Sequence, residues 1–110
     1  MKIKLKLTPD ELRVVAEKVG LLNNFDFKNM TRDQKFVWSI VIDVADKVQP
    51  KIQKLSRQLS ITDHRKKHEL TLKWHEADAL ESYLLTVPES DPFLSNLIRK
   101  ITAQINQKLA

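Results

Sequence analysis

Apolar residues between Thr31 and Ile61 recur at intervals of four or three: Val37, Val41, Val44, Val48, Ile52, Leu55 and Leu59. That spacing lines one face of a helix with a period of about 3.6 and excludes a strand, whose period is two. At roughly 1.5 Å per residue the helix would run about 40 Å, so shorter elements are expected to pack along it. Thr31 reads as its N-cap, with Gln34 at the capping-box position. Phe36, Val37, Trp38, Ile40, Val41 and Ile42 make its first turns apolar nearly all round, and this part is expected to be the most buried. Pro50 interrupts the pattern, because proline removes one intrahelical hydrogen bond and crowds the carbonyl of Asp46 at a cost of about 3 kcal/mol. Since the apolar phase continues beyond it, the pattern predicts a kink near Gln49 and Pro50 with the same face buried. A break into two helices is the alternative.

The flanking stretches carry shorter signals. Residues 2 to 7 alternate, with Ile3, Leu5 and Leu7 on one face and Lys2, Lys4 and Lys6 on the other, which predicts a half-buried strand with lysines in water. Thr8, Pro9 and Glu11 then form a capping box with proline at the first helical position, and Leu7 and Leu12 occupy the staple positions. The first helix is expected from Pro9 to Val19, terminated by Gly20 in a left-handed conformation. Leu21 to Met30 lacks periodicity and reads as a loop pinned by Leu22, Phe25 and Phe27. Ser60 to Lys67 reads as an exposed turn. Glu69 to Trp74 alternates again, with Leu70, Leu72 and Trp74 inward, and predicts a second strand. A third helix follows from Glu76 to Thr86, stopping before Pro88. A fourth begins at Pro92 behind Asp91 as its cap and buries Leu94, Leu97, Ile98, Ile101 and Ile105.

These elements predict one α+β domain over residues 1 to 110. It is mostly helical, with four helices around one long kinked helix and a small two-stranded sheet. Antiparallel pairing is favoured, because it tolerates a short ribbon facing solvent better than parallel pairing does. The two halves share an order of strand, short helix and longer helix, but the likeness does not extend along the helices, so coincidence of short amphipathic elements is the better reading. Two strands alone are marginal and must lie against the helices.

Composition changes this picture little. Apolar residues make up 42% of the chain and there is one glycine, which favours a folded, helix-rich protein. The absence of cysteine excludes disulfides, thiol nucleophiles and thiolate metal sites. The opening residues alternate instead of forming a signal peptide's apolar core, and no run approaches the roughly 20 apolar residues of a membrane span, so a cytoplasmic protein without membrane contact is expected.

Charge is the clearest asymmetry. The net charge is +5, yet between Lys47 and Lys73 eight basic residues (Lys47, Lys51, Lys54, Arg57, Arg65, Lys66, Lys67 and Lys73) face two acidic ones, Asp63 and Glu69. That segment sums to +6, and the remainder of the chain to −1. Lys47, Lys51 and Lys54 share a helix ridge away from the apolar stripe. Such a ridge suits phosphates, although the solvent face of any long helix looks similar. No helix-turn-helix glycine, zinc-finger spacing or aromatic recognition motif accompanies it.

Other candidate chemistry fails on spacing. His64 and His68 would share a helical face, but Arg65, Lys66 and Lys67 between them repel a divalent cation, and adding Asp63, Glu69 or His75 makes only a nominal ligand set. Glu76 and Asp78 diverge, Glu76, Asp78 and Glu81 suit a first helical turn by charge alone, and Ser39, Ser56 and Ser82 have no paired base. The single Gly20 excludes glycine-rich phosphate loops. The sequence therefore predicts no catalytic residues, cofactor or metal. It points to a non-enzymatic interaction or adaptor domain, with a basic nucleic-acid-binding accessory protein as the alternative. Phe36, Trp38, Ile42 and Trp74 are candidate interface anchors. Open strand edges and the apolar Phe36 to Ile42 segment predict a protein partner or a homodimer.

Overall fold

In the computed structural model the described residues are 2–21, 28, 30–57, 67–87 and 89–110, with 55–57 described as backbone only. The elements run β1 (Lys2–Leu7), α1 (Pro9–Gly20), α2 (Arg32–Arg57), β2 (His68–Lys73), α3 (Trp74–Thr86) and α4 (Pro92–Leu109). The fold is α+β and mostly helical, and its sheet is two-stranded and antiparallel as the alternation predicts. Helix α2 packs against α1 and α3, and α4 packs against the same two helices. The helices α1 to α4 thus close a ring beneath the sheet's apolar face, so α2 is one wall of the ring and not its axis.

Local chemistry sets the joints. At the start of α1 the Thr8 hydroxyl accepts from the Glu11 N–H at 3.2 Å and the Glu11 carboxylate accepts from the Thr8 N–H at 3.1 Å. The same reciprocal pair forms between Thr31 and Gln34 at 3.0 and 3.2 Å, fixing the start of α2. At α4 the Asp91 carboxylate accepts from the Phe93 N–H at 2.8 Å. Each arrangement satisfies backbone donors that a helix leaves without intrahelical partners.

One sequence expectation is narrowed and three need correction. Helix α2 runs uninterrupted through Pro50, which excludes the two-helix alternative; it is described as far as Arg57, and the rest of the expected helix to Ile61 lies outside the described residues. Pro50 is exposed, so the carbonyl it leaves unbonded can turn to water. Gly20 is helical and its φ is not positive; α1 closes at Leu21 with right-handed φ −65° and ψ −16°. A left-handed cap is unnecessary because the Lys18 carbonyl accepts from both the Leu21 N–H and the Tyr83 hydroxyl.

The second correction concerns Trp74. Strand β2 begins at His68 and ends at Lys73, where the Glu76 carboxylate accepts the Lys73 N–H at 2.8 Å and turns the chain into α3 two residues early. Trp74 therefore opens a helix and is 44% exposed, instead of continuing the inward face of the strand. Lastly, the apolar start of α2 is not wrapped by neighbours. Trp38 is 7% exposed and Val41 is fully buried, but Phe36 is 68% and Ile42 40% exposed, because α1 and α3 cover only one side of the helix. The loop anchors Leu22, Phe25 and Phe27 lie outside the described residues, as does most of the turn at 60–67.

The core joins Ile3, Leu5, Leu7, Leu70 and Leu72 from the sheet to Leu12, Val15 and Val19 of α1, Val41, Val44 and Val48 of α2, Leu80 and Tyr83 of α3, and Ile101 and Ile105 of α4. The Trp38 and Tyr83 rings meet edge to face, centroids 5.1 Å apart at 89°. Strand register is centred on Leu5 opposite Leu70. Each of these leucines lies six residues before a buried glutamate that caps the following helix, Glu11 or Glu76. The shared layout of the two halves therefore extends to an approximate two-fold relation across the sheet.

Candidate interaction surface

Strand alternation and register together build one face of the molecule. With Ile3, Leu5 and Leu7 committed to the core, Lys2, Lys4 and Lys6 must project from the opposite side of β1. On β2, Leu70 and Leu72 are buried, so Glu69, Thr71 and Lys73 project outward as well. The register sets Lys2 opposite Lys73, Lys4 opposite Thr71 and Lys6 opposite Glu69. Four lysines thus share the outer face of the ribbon with one glutamate, a local charge of +3. The described helices all pack on the other side of the sheet or at the β1 edge.

This face differs electrostatically from the charged groups that hold the fold together. The nearly buried Lys18 pairs with Glu89, whose carboxyl is held below its ordinary range chiefly by that ammonium. Lys47 pairs with the buried Glu76 at 2.6 Å. Burial alone would push the Glu76 carboxyl up, but the Lys47 ammonium and the Lys73 N–H more than offset it and leave it below the ordinary value. On the ribbon, among the described residues, the one ion pair is between Lys4 and Glu69, at 3.9 Å with both side chains at least half in water. A contact of that kind contributes little, so the ribbon lysines keep their charge available.

The basic residues singled out by sequence divide accordingly. Lys47 is engaged by Glu76, which separates it from Lys51 and Lys54 on the exposed side of α2. Lys67 is exposed just before β2, and Lys73 joins the ribbon face. Arg65, Lys66 and the Arg57 side chain lie outside the described residues. Sequence reasoning placed Lys2, Lys4 and Lys6 in water without connecting them to Lys73. Their alternation was the available signal, and the register was the missing piece.

Among the interface candidates, Trp38 is a core residue, whereas Phe36, Ile42 and Trp74 reach solvent at separate places. Phe36 and Ile42 are six apart on α2, which sets them on different sides of the helix, so they do not form one patch. Leu85 and Phe93 are further exposed apolar side chains, and Leu85 lines a cleft of about 330 Å³ between α3 and α4 together with Ile98, Arg99 and Thr102.

The acidic and histidine candidates are dispersed. Glu76 is committed to Lys47 and the Lys73 backbone, Asp78 is exposed, and one carboxylate oxygen of Glu81 is buried without a hydrogen-bond partner. His68 is half-buried at the start of β2 and His75 is exposed on α3, while Asp63 and His64 lie outside the described residues. Among the described residues no three His, Asp or Glu side chains converge on a metal-sized site, and no helix is long and apolar enough to cross a membrane. Comparison with protein-family models, curated proteins and solved structures returns no match.

Proposed function

We propose that the chain is a small non-enzymatic interaction module that engages a polyanion, the phosphate backbone of a nucleic acid, through the outer face of the β1–β2 ribbon. The observation that carries this reading is the open row of Lys2, Lys4, Lys6 and Lys73 on a face with a single glutamate. Each strand of six residues spans about 20 Å at roughly 3.3 Å per residue, enough to follow several phosphates. Lysines on such a face position a backbone without reading bases, so binding is expected to be strong in salt dependence and weak in sequence preference.

The reading moves the contact away from the α2 ridge, since Lys47 is held by Glu76, which leaves Lys51 and Lys54 of that ridge. Fluorescence anisotropy with labelled DNA and RNA at low and moderate salt tests it. Replacing Lys2, Lys4 and Lys6 with glutamine is expected to weaken binding across sequences and to lower the salt slope by about 0.9 for each B-form phosphate no longer neutralised. Replacing Lys51 and Lys54 is expected to change affinity little. No binding at low salt, or loss of binding on changing Lys51 and Lys54 alone, would overturn the proposal.

A further inference from the structure

The two edges of the ribbon are not equivalent. In an antiparallel pair, residues facing each other alternate between those that exchange both backbone bonds and those whose N–H and C=O point away. Gln104 of α4 reaches the outer edge of β1, where its side-chain oxygen accepts from the Lys6 N–H at 2.7 Å and its side-chain nitrogen donates to the Lys6 carbonyl at 3.0 Å. Lys6 and its partner Glu69 are therefore an outward-pointing pair. The same parity turns the backbone of Thr71 and Lys73 to the outer edge of β2. There the Lys73 N–H is taken by Glu76 and the Lys73 carbonyl, at the N-cap of α3, accepts the first bond of that helix, while among the described residues nothing bonds the N–H and C=O of Glu69 and Thr71. The β1 edge is blocked at Lys6 by Gln104 of the adjoining α4, whereas the β2 edge is an open template at Glu69 and Thr71.

The open edge is also self-complementary in charge. Two copies of β2 laid antiparallel about a two-fold axis through Thr71 set Glu69 of each copy opposite Lys73 of the other, and Leu70 opposite Leu72. Directly paired residues point to the same face, so both Glu69 and Lys73 pairs form on the outer side with their Cβ atoms about 5 Å apart. Two main-chain bonds become available, a reciprocal Thr71 pair, with a Glu69–Lys73 ionic pair on each side of it. A register centred on Leu70 would instead oppose Glu69 to Thr71 and forfeit both ionic pairs. The Thr71-centred register also brings the half-exposed Trp74 to the end of the shared edge.

We infer that β2 is a homodimerisation edge, and that two copies pair β2 to β2 about Thr71 to form a four-stranded sheet. The outer face of that sheet carries the lysines of the two β1 strands on either side of the paired β2 strands. The occupant of the edge is a second copy of this chain because the Glu69, Thr71, Lys73 pattern matches its own reverse. This association stands apart from nucleic-acid binding, since it uses the edge of the ribbon and can be measured without any nucleic acid.

The test is mass by light scattering over a roughly hundredfold range of protein concentration, since a dimer's population depends on concentration. The expected result is a rise from 12.8 kDa toward twice that value. Thr71→Pro removes an N–H that the intramolecular ladder does not use, so circular dichroism should stay unchanged while the mass remains that of a monomer. Glu69→Lys and Lys73→Glu should each be monomeric through like-charge pairs, and mixing these two variants should restore the dimer mass, because each then meets its opposite. A constant monomer mass for the natural chain would overturn the inference. So would a dimer that survives Thr71→Pro and both charge changes, or a mixture of the two variants that stays monomeric.

Discussion

Tyr83 is the only tyrosine in the chain and the side chain on which three helices converge, so its ionisation reports directly on the core. Its ring is fully buried on α3 and meets the edge of Trp38 from α2, and its hydroxyl donates to the Lys18 carbonyl at the end of α1. Burial pushes the phenol up from 10.0 to about 12. Because the folded value is raised, the stability linked to this group is fully present below pH 10.0 and is lost as pH rises through about 12. With each pH unit of difference corresponding to about 1.4 kcal/mol, ionisation within the fold costs on the order of 2–3 kcal/mol relative to the unfolded chain. Absorbance of the phenolate during an alkaline titration should therefore show a native transition near 12 and a denatured one near 10.0. Tyr83→Phe keeps the ring and its contact with Trp38 but removes one of the two hydrogen bonds that the Lys18 carbonyl accepts, and should lower stability by about 0.5–1.5 kcal/mol in denaturant unfolding at neutral pH. The same variant should not show the stability decline that the natural chain shows from pH 10.0 upward. A native phenol titrating near 10.0, or a Tyr83→Phe variant as stable as the natural chain, would refute this account of how the helices are joined.

Two further perturbations separate structural charge and backbone effects. Pro50 lies exposed in an unbroken helix, so Pro50→Ala restores a backbone donor and should raise the unfolding midpoint, with a gain of up to about 3 kcal/mol; a drop would mean that the proline shapes the helix for its packing. Glu76 has a depressed carboxyl, so its contribution is present above its ordinary value of 4.5 and fades as pH falls through the lower folded value. Glu76→Gln should cost about 1–2 kcal/mol at neutral pH, a figure reduced for the partial exposure of Lys47, and the difference between variant and natural chain should shrink in acid. Parallel stability curves for the two proteins between pH 7 and pH 3 would contradict that assignment.

Much of the framework is legible in the sequence because it depends on neighbours close along the chain. The Thr8–Glu11 box and the Thr31–Gln34 box each need a separation of three residues, and both form with the expected partners. The alternating leucines of β1 and β2 give the buried face of the sheet for the same reason. The errors arise where a distant group decides a local outcome. Gly20 stays right-handed because Tyr83, far along the chain, supplies a donor to the last turn of α1. Trp74 leaves the strand because Glu76 captures the Lys73 N–H, which hydrophobic alternation cannot register. Phe36 and Ile42 are apolar at positions that α1 and α3 do not reach, so composition overstates their burial.

The candidate site follows the same physical division. A count of charge along the chain finds the basic stretch from Lys47 to Lys73, but it cannot see that Glu76 neutralises Lys47 or that Lys73 stands beside Lys2. Linear density and surface density of charge differ whenever strands from distant parts of the chain pair. In this fold they differ by one register: shifting β2 by a single residue against its own pleat would turn Leu70 and Leu72 outward and draw Glu69, Thr71 and Lys73 into the core. The apolar requirement of five inward side chains, Ile3, Leu5, Leu7, Leu70 and Leu72, therefore fixes where the lysines gather. The basic face is a consequence of core packing, which is why a count of charge along the chain does not assemble it and why substitutions in the leucine row should disturb the proposed anion binding as surely as substitutions of the lysines themselves.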